Sequence, residues 1–331
     1  MFPEQIYYEP GIEEYKMGKF LLSKYKEVPQ IPIENHNNIL ELRSRPNEDF
    51  CELKKYLIIG TRKTHKYVDN FKISDYLVPF TSSGCPAMCL YCYRVCNYNK
   101  CSYLRVFVNQ EQMLSRLIKK STSEQSSKVF EIGSNSDLVL EHSITGSLTE
   151  TIEQFALHGK GSITFPTKFN MVQDLLPLDH QGKVIFRMSV NPQEIISEIE
   201  IGTSNLTSRI KALNDMAEAG YRVGILIAPI VMVEDWKGHY SKLLDQLADQ
   251  LSPKVIKQVQ FEIIFMTYSY VHRAMNEQAF PHKPSLYSQE RMTGRGRGKY
   301  CYKQAFREDG EAFLRDEIGK RFHSESIVYV V

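Results

Sequence analysis

The residues of this chain best suited to chemistry are five cysteines between positions 85 and 101. Cys85, Cys89 and Cys92 have the spacing C-x3-C-x2-C, and Tyr91 stands just before the third cysteine. Cysteine thiolates hold iron–sulfur clusters, and a [4Fe–4S] cluster normally takes four of them. A set of three therefore predicts a cluster with one iron left open to a small molecule.

Zinc is the alternative that the cysteine count leaves open. Zinc sites usually have four ligands, commonly in two C-x2-C pairs, and Cys96 and Cys101 could supply a fourth and a fifth thiolate. The observed spacing, with Tyr91 inside it, is unusual for a zinc ribbon, so we favour the cluster. A disulfide framework is disfavoured because 331 residues can build a core without it and seven cysteines is an odd number.

The composition is that of an ordinary globular protein, with 42% hydrophobic and 24% charged residues. The net charge of +2 gives no global attraction to nucleic acid, so any such contact must come from a local basic patch. The first residues lack the basic and apolar regions of a signal peptide, and no apolar run reaches the length of about 18 residues typical of a membrane span. Together with thiolates kept for a cluster, this predicts a cytoplasmic protein without a membrane partner.

From residue 76 onward, short apolar runs alternate with amphipathic stretches. Six such alternations predict an α/β fold with parallel strands and right-handed crossovers, arranged as a partial (β/α)6 barrel. Barrels carry their sites at the carboxyl ends of the strands, and the cysteine loop directly follows the first predicted strand. The predicted strands are 76–81, 128–133, 162–167, 184–190, 221–230 and 259–265, and the predicted helices are 111–120, 148–158, 170–176, 192–199, 207–219 and 238–251.

Three regions are predicted along the chain. Residues 1–75 form an N-terminal extension packed on the core, with a strand at 57–59. Residues 76–266 form the partial barrel, and residues 267–331 form a C-terminal substrate- or DNA-binding region.

The C-terminal region contains a window, 291–300, with alternating glycines and four positive charges in ten residues. The glycines predict a tight β-hairpin. Arg295, Arg297 and Lys299 could meet DNA phosphates, and Tyr300 could stack on an unstacked base. The alternative is a solvated basic turn without a partner.

The cysteine loop resembles that of radical S-adenosylmethionine (SAM) enzymes, and the chain as a whole resembles the spore photoproduct lyase family. The loop carries the strongest match, because it includes the run Tyr91-Cys92-Tyr93. Other similar segments keep the family's order along the chain: Tyr8-Glu9-Pro10, Asn35-His36-Asn37, Gly60-Thr61-Arg62, Tyr103 to Asn109, Ser136-Asp137, Thr167-Lys168, Phe186 to Asn191, Gly202-Thr203-Ser204, Ala217 to Tyr221, Ala228-Pro229-Ile230, Phe261-Glu262 and Gly298-Lys299-Tyr300.

This resemblance implies a DNA-repair lyase that reverses the thymine–thymine spore photoproduct. The cofactors would be a [4Fe–4S] cluster and SAM, whose 5′-deoxyadenosyl radical removes a hydrogen atom from C6 of the saturated thymine. The lesion in ultraviolet-damaged DNA would have to leave the base stack. We also expect a reductant such as flavodoxin or ferredoxin, a monomeric enzyme and a role at sporulation or germination.

The resemblance also implies roles for individual residues. Cys85, Cys89 and Cys92 would hold the cluster, and Tyr91 would pack near the SAM adenine. The polar residues expected to hold the SAM ribose and carboxylate are Ser136, Asp137, Lys168, Ser189 and Asn191. Each of these, taken alone, could instead be an ordinary strand-end or helix-cap group.

One departure from the family concerns the final hydrogen-atom transfer. The family carries a donor cysteine at the end of the second strand, which works with the tyrosine after the third cluster cysteine. Tyr93 is present here, but Ser134 replaces the cysteine, and a serine O–H bond is too strong to quench a thymine radical. The candidate replacements are Cys96 and Cys101, with Cys51 and Cys301 as weaker ones; structural thiols are the alternative for all four.

A second departure follows the sixth predicted strand. The family has a Gln-His-Arg-Phe run where this chain has Phe265-Met266-Thr267-Tyr268. Both departures fall where the substrate would be gripped or quenched. They leave open a divergent radical SAM paralogue with another nucleic-acid or small-molecule substrate, and a non-enzymatic metal-binding module is the third possibility.

Overall fold

The computed structural model describes residues 3–96 and 103–331, which form two compact units. The first unit holds the described residues of 3–86, 103–167 and 171–185. The second unit holds residues 87–96, 168–170 and 186–331. The division into three regions drawn from the sequence stays a prediction. Among the described residues, no helix combines the length and the apolar character that a membrane crossing requires.

The regular elements have the following bounds. The strands are β1 (Gln5–Tyr8), β2 (Gln30–Pro32), β3 (Tyr56–Gly60), β4 (Val68–Asp69), β5 (Tyr76–Leu77), β6 (Ser82–Ser83), β7 (Met88–Cys89), β8 (Leu104–Phe107), β9 (Val129–Glu131), β10 (Ser162–Thr167), β11 (Val184–Val190), β12 (Glu200–Ile201), β13 (Arg222–Ile230), β14 (Phe261–Phe265), β15 (Thr267–Ser269), β16 (Met292–Gly296), β17 (Lys299–Tyr302) and β18 (Ile327–Val330). The α-helices are α1 (Lys16–Lys24), α2 (Leu40–Arg43), α3 (Phe50–Leu53), α4 (Gln110–Ser123), α5 (Leu138–Thr145), α6 (Ser147–His158), α7 (Gln193–Glu198), α8 (Leu206–Glu218), α9 (Trp236–Gln250), α10 (Pro253–Gln258), α11 (Tyr270–Ala279) and α12 (Gln304–Arg321).

The first unit contains a sheet of order β2-β1-β3-β8-β6. Strands β1, β3 and β8 run parallel, and β6 runs antiparallel to β8. All residues of β3 are buried, as expected for a central parallel strand with both faces covered. The same unit holds β10, β9, β5 and β4 side by side in that order. Within this second group, β9 is followed by the turn that carries Ser134 to Asp137.

The carboxylate of Glu9 joins three segments of the first unit. It accepts hydrogen bonds from the His36 backbone N–H (3.0 Å), from His36 Nδ1 (2.8 Å) and from the Thr61 backbone N–H (3.0 Å). Gly60 passes so close that an added Cβ would lie 2.6 Å from His36 Nδ1. The short motifs around residues 9, 36 and 61 are thus contacting parts of one structure.

In the second unit, β14 pairs parallel with both β18 and β13, and β11, whose residues from Phe186 onward belong to this unit, lies beside β13. Gly220 follows α8 with φ +90° and donates its N–H to the Ala217 carbonyl, as a glycine at a helix C-terminus commonly does. Arg187 and Glu262 form a fully buried ion pair, with Arg187 Nη1 3.0 and 2.9 Å from the two carboxylate oxygens.

The predicted basic hairpin is present in the second unit as β16 and β17, and β15 extends it to a three-stranded sheet. Its turn has positive φ at three successive residues, Gly296, Arg297 and Gly298. Gly298 is required twice over, because an added Cβ would also lie 2.4 Å from the Tyr270 ring.

Most predicted elements of the barrel region are present, and one is wrong. The predicted strands 162–167 and 184–190 agree with β10 and β11 in both bounds. The predicted helix 170–176 is only a 3₁₀ turn, Gln173–Leu175. Pro177 has no backbone N–H, so it cannot close a further helical turn.

The Glu9 junction gives the first testable prediction, on the pH dependence of stability. Burial tends to raise the pKa of Glu9, but hydrogen bonds from His36 and Thr61 outweigh it and lower this pKa to about 2. A lowered folded-state pKa stabilises the fold above the ordinary value of 4.5, and this stabilisation is lost as pH falls towards about 2. Glu9→Gln should therefore lower the free energy of unfolding at pH 7 by about 2 kcal/mol, with the difference shrinking towards pH 2.

Urea unfolding at several pH values checks this. Glu13→Gln, at an exposed position of the same region, is the control and should change little at any pH. A Glu9→Gln deficit that stays constant between pH 7 and pH 2 would contradict the expectation.

Candidate active site

The cysteine loop is held by backbone pairing on both of its sides. In the first unit, the Gly84 N–H donates to the Asn135 carbonyl at 2.8 Å, just before Cys85. In the second unit, β7 pairs antiparallel with β12, so that Cys89 lies opposite Glu200. The Cys92 N–H closes a turn on the Cys89 carbonyl at 3.0 Å. The side chains of the three cysteines are each partly buried.

Side chains from other elements bind the carbonyls of this loop. The ammonium of Lys54, which is 2% exposed, donates to the Cys85 carbonyl at 2.7 Å. In the second unit, Asn276 on α11 donates to the Leu90 carbonyl at 2.7 Å. The ring Nε2 of His272, also on α11, bonds the Cys92 carbonyl. Because a carbonyl can only accept, this nitrogen carries the proton, and burial lowers the pKa of His272 and so favours the neutral ring.

One carboxylate in the second unit gathers four side-chain donors. Glu200 is 1% exposed and opens β12. Its Oε1 accepts hydrogen bonds from the Tyr91 hydroxyl (2.5 Å), the Lys168 ammonium (2.9 Å) and the Asn191 amide (2.7 Å). Its Oε2 accepts from the Arg209 guanidinium at 2.6 Å. Three of these donors, Tyr91, Lys168 and Asn191, are residues that the sequence assigned to SAM.

The charges explain the protonation states in this cluster. Burial alone would raise the pKa of Glu200, but Lys168 and Arg209 outweigh it and hold this pKa well below its ordinary value. Burial, together with the negative charge of Glu200, raises the pKa of Tyr91 well above its ordinary value. Glu200 is therefore a carboxylate at neutral pH, and Tyr91 is a neutral hydrogen-bond donor.

Lys168 and Asn191 differ in how far they reach the surface. The Lys168 ammonium also donates to the Ser189 hydroxyl (2.6 Å) and the Ala228 carbonyl (2.8 Å), and its side chain is 19% exposed. Asn191 is fully buried, and its Oδ1 accepts from the Tyr240 hydroxyl at 2.9 Å. Lys168 therefore borders the surface, although its three N–H donors are already bonded to Glu200, Ser189 and Ala228, whereas Asn191 is enclosed by protein groups.

Ser136 and Asp137 lie in the first unit and are buried. Asp137 is the N-cap of α5, with Oδ1 accepting from the Leu140 N–H (3.2 Å) and from the Thr167 hydroxyl (2.8 Å). The Ser136 hydroxyl bonds the Ser82 hydroxyl. For Asp137, the helix-cap interpretation that the sequence left open describes the observed contacts.

The residues predicted for hydrogen-atom transfer are placed only in part. Ser134 is half-buried in the turn after β9, and Tyr93 is 54% exposed at the start of the 3₁₀ helix Tyr93–Cys96. The side chain of Cys96 and all of Cys101 lie outside the described residues.

The residues predicted to bind DNA lie together on the hairpin. Arg295, Arg297 and Lys299 are exposed. Tyr300 is half-buried, with its ring centroid 4.7 Å from that of Tyr287. The three exposed charges are therefore positioned around one turn.

Sequence reasoning missed the residues that hold the site in place. Glu200 gave no signal, because the alternation Glu198-Ile199-Glu200-Ile201 is that of a half-buried strand with its acidic residues towards solvent. Lys54, His272 and Asn276 each contact the cysteine loop through a hydrogen bond to one of its backbone carbonyls, and such contacts leave no sequence motif.

The chain is similar to known proteins in both sequence and structure. The family model described as Spore photoproduct lyase matches residues 1–331. The chain is 31% identical over 339 residues to Spore photoproduct lyase of Geobacillus sp. (strain Y412MC61), covering 99% of this chain and 98% of that protein. It is 32% identical over 326 residues to Spore photoproduct lyase of Bacillus subtilis (strain 168), covering 96% of this chain and 93% of that protein.

A solved structure of a spore photoproduct lyase variant, with bound AdoMet and dinucleoside spore photoproduct, is similar to the whole chain. The TM-score is 0.92 and the identity 28%, with 100% of this chain and 99% of that chain covered. This likeness confirms the predicted α/β fold of the partial-barrel type. With the family model matching from end to end, the chain belongs to the spore photoproduct lyase family.

Proposed function

We propose that this protein is a radical SAM lyase that restores two thymines from the spore photoproduct in DNA. The observation that carries the proposal is the carboxylate-centred cluster, in which Tyr91 from the cysteine loop and Lys168 share the oxygen of Glu200. Membership of the family supports the lesion as substrate, and the loop supports the cofactors.

The residues present fit a [4Fe–4S] cluster by their chemistry. Cys85, Cys89 and Cys92 offer three partly buried thiols within eight positions of the chain. The buried Lys54 ammonium bonds the carbonyl of Cys85, which places a positive charge beside a ligand that must bind as a thiolate. Bound together, the cluster and SAM would supply the 5′-deoxyadenosyl radical that removes a hydrogen atom from C6 of the lesion.

For SAM, we assign the carboxylate to Lys168 and the adenine to the neighbourhood of Tyr91. Lys168 borders the surface, and its ammonium can form a charge-assisted hydrogen bond to a carboxylate that replaces one of its neutral acceptors, Ser189 or Ala228. The Ser189 hydroxyl accepts a hydrogen bond from the Lys168 ammonium and so helps to orient it. The Asn191 amide donates to the Glu200 carboxylate and holds it in place. Ser136 and Asp137 remain the candidates for the ribose.

For DNA, we assign the phosphate contacts to Arg295, Arg297 and Lys299 on the hairpin. Their exposure around one turn suits a groove or a backbone rather than a small ligand. Tyr300 would offer its ring beside Tyr287. We also expect a flavodoxin or ferredoxin as the source of the reducing electron.

A divergent substrate is the second candidate function. It is favoured by Ser134 in place of the donor cysteine and by the altered segment Phe265 to Tyr268, whose Tyr268 pairs with Tyr300 of the hairpin. In this case the chain shares its cofactor residues with the family, but differs from it in the residues that would bind the substrate or donate a hydrogen atom to the substrate radical.

Anaerobic turnover tests the proposed function. The reconstituted protein is given SAM, dithionite and a defined spore-photoproduct oligonucleotide, and restored thymine and 5′-deoxyadenosine are measured. Restored thymine is expected, and because the repair is an isomerisation, the hydrogen atom taken from the lesion has to return and SAM is regenerated from 5′-deoxyadenosine. Deoxyadenosine without thymine would favour the divergent substrate, and neither product would reject the radical SAM assignment.

The cluster cysteines give the second prediction. Cys85→Ala, Cys89→Ala and Cys92→Ala should each abolish cluster binding and SAM cleavage, because the motif already has one ligand fewer than a cluster takes. Iron content and deoxyadenosine formation are the measurements, and Cys51→Ala is the control. Full activity in any of the three variants would contradict the assignment.

The missing donor gives the third prediction. If Cys96 or Cys101 quenches the thymine radical, its Ala variant should still cleave SAM and open the lesion but should yield misquenched thymine products. Mass spectrometry of the products makes the comparison, with Ser134→Ala as the control, because the O–H bond of Ser134 is too strong to quench the radical. A normal product pattern would reject that residue as the donor.

The anchors of the loop give the fourth prediction. Asn276→Ala removes the hydrogen bond to the Leu90 carbonyl and should loosen the loop, so that Cys89 and Cys92 of the cluster-free chain react with iodoacetamide about fivefold faster, the effect of about 1 kcal/mol. Asn214→Ala is the matched control, because Asn214 likewise holds a backbone carbonyl, that of Gln250. Equal labelling rates in the two variants would contradict the anchoring role.

A further inference from the structure

Glu200 is hydrogen-bonded to Tyr91 and Lys168, two residues that we assign to SAM. Its side chain is completely buried, whereas that of Lys168 is 19% exposed. Among the bonds described, one oxygen faces Tyr91, Lys168 and Asn191, and the other faces Arg209. The carboxylate therefore lies beneath Lys168, whose side chain is partly exposed.

We propose that Glu200 is a positioning residue that presets Lys168 and Tyr91 for the carboxylate and the adenine of SAM. The inference rests on the proposed SAM site and adds to it a residue that never touches the ligand. It predicts that the change of one buried group alters the discrimination between ligands that differ only in their carboxylate.

The geometry of Lys168 supports this role. A free lysine side chain has considerable rotamer entropy, which is lost when its ammonium is fixed. Here the ammonium is already held by Glu200, Ser189 and the Ala228 carbonyl, so the side chain is ordered on folding, and a ligand carboxylate would take the place of one of the two neutral acceptors. Such preorganisation raises affinity without adding a contact.

Arg209 fixes Glu200 in turn. Arg209 is fully buried, and its guanidinium also donates to the Ser204 carbonyl (2.8 Å), the Ser189 carbonyl (2.9 Å) and the Thr203 hydroxyl (2.7 Å). With the guanidinium locked by the backbone, the carboxylate has one orientation, and the direction of the Lys168 ammonium follows from it.

The test compares the binding of SAM and of decarboxylated SAM to the full chain carrying its cluster. Equilibrium dialysis under anaerobic conditions gives the ratio of the two dissociation constants for each variant. Glu200→Gln removes the charge and presents an amide to a ring of donors, so the preference of the wild type for SAM should fall about tenfold.

Glu262→Gln is the matched control. Glu262 is also a fully buried carboxylate of the second unit, paired with a buried arginine, Arg187, and bonded by the Tyr329 hydroxyl. Its loss should lower the melting temperature, as the loss of Glu200 should, but it should leave the ligand ratio unchanged. A fall of the ratio in both variants would assign the Glu200 effect to general destabilisation and overturn the proposal.

A double-mutant comparison tests whether Glu200 acts through Lys168. If it does, Lys168→Met combined with Glu200→Gln should show the same ligand ratio as Lys168→Met alone. Additive losses would overturn the proposal. If Glu200→Gln does not fold, Glu200→Asp keeps the charge but shortens the reach, and it should still lower the ratio measurably; a wild-type ratio would overturn the proposal.

The same data separate this inference from the proposed function. A wild type that does not bind SAM, or does not prefer it over the decarboxylated ligand, would remove the proposed site and the inference with it. A wild type with a clear preference that Glu200→Gln retains would leave the site intact and reject only the role of Glu200.

Discussion

The buried negative charge of Glu200 holds several segments of the second unit together. An isolated carboxylate is costly to bury, and Glu200 is tolerated because Lys168 and Arg209 both bind it. The donors come from separate segments: Tyr91 from the cysteine loop, Asn191 from the end of β11 and Arg209 from α8. Removing one partner of a buried ion pair typically costs about 3–5 kcal/mol, because the remaining charge stays buried. These segments therefore cannot shift independently of one another.

The sequence predicted the parts of the fold whose residues are buried in long apolar runs. Strands β10 and β11 are of this kind, and both bounds agree with the structure. The helix α12 was not predicted, because its buried residues include Gly310 and Glu317 and so give a weak apolar stripe. The N-terminal sheet was predicted only at its central strand, since β1 and β2 are too short for their periodicity to be recognised.

The same distinction applies to the site. Lys168, Ser189 and Asn191 were predicted because they stand in motifs at strand ends. Glu200 was not, since its function depends on which distant side chains reach it, and that is a property of the folded chain. Asp137 is an intermediate case: an aspartate just before an apolar run is a typical N-cap, and the structure has it capping α5. A motif match thus locates a residue without deciding what it touches.

The hairpin and the cysteine loop are connected by a short path of contacts within the second unit. Lys299 on β17 pairs with Ser269 on β15, and Ser269 accepts the His272 N–H at the start of α11. His272 in turn bonds the Cys92 carbonyl, and its ring stacks on that of Tyr268. If a nucleic acid binds Arg297 and Lys299, as we propose, it would contact β17, the strand at which this path begins. Tyr268, which ends the altered segment Phe265 to Tyr268, contacts this path through the His272 ring. The hairpin and the cysteine loop thus belong to one connected set of contacts in the second unit, and the bonds that reach the loop end on backbone carbonyls, which leave no sequence motif.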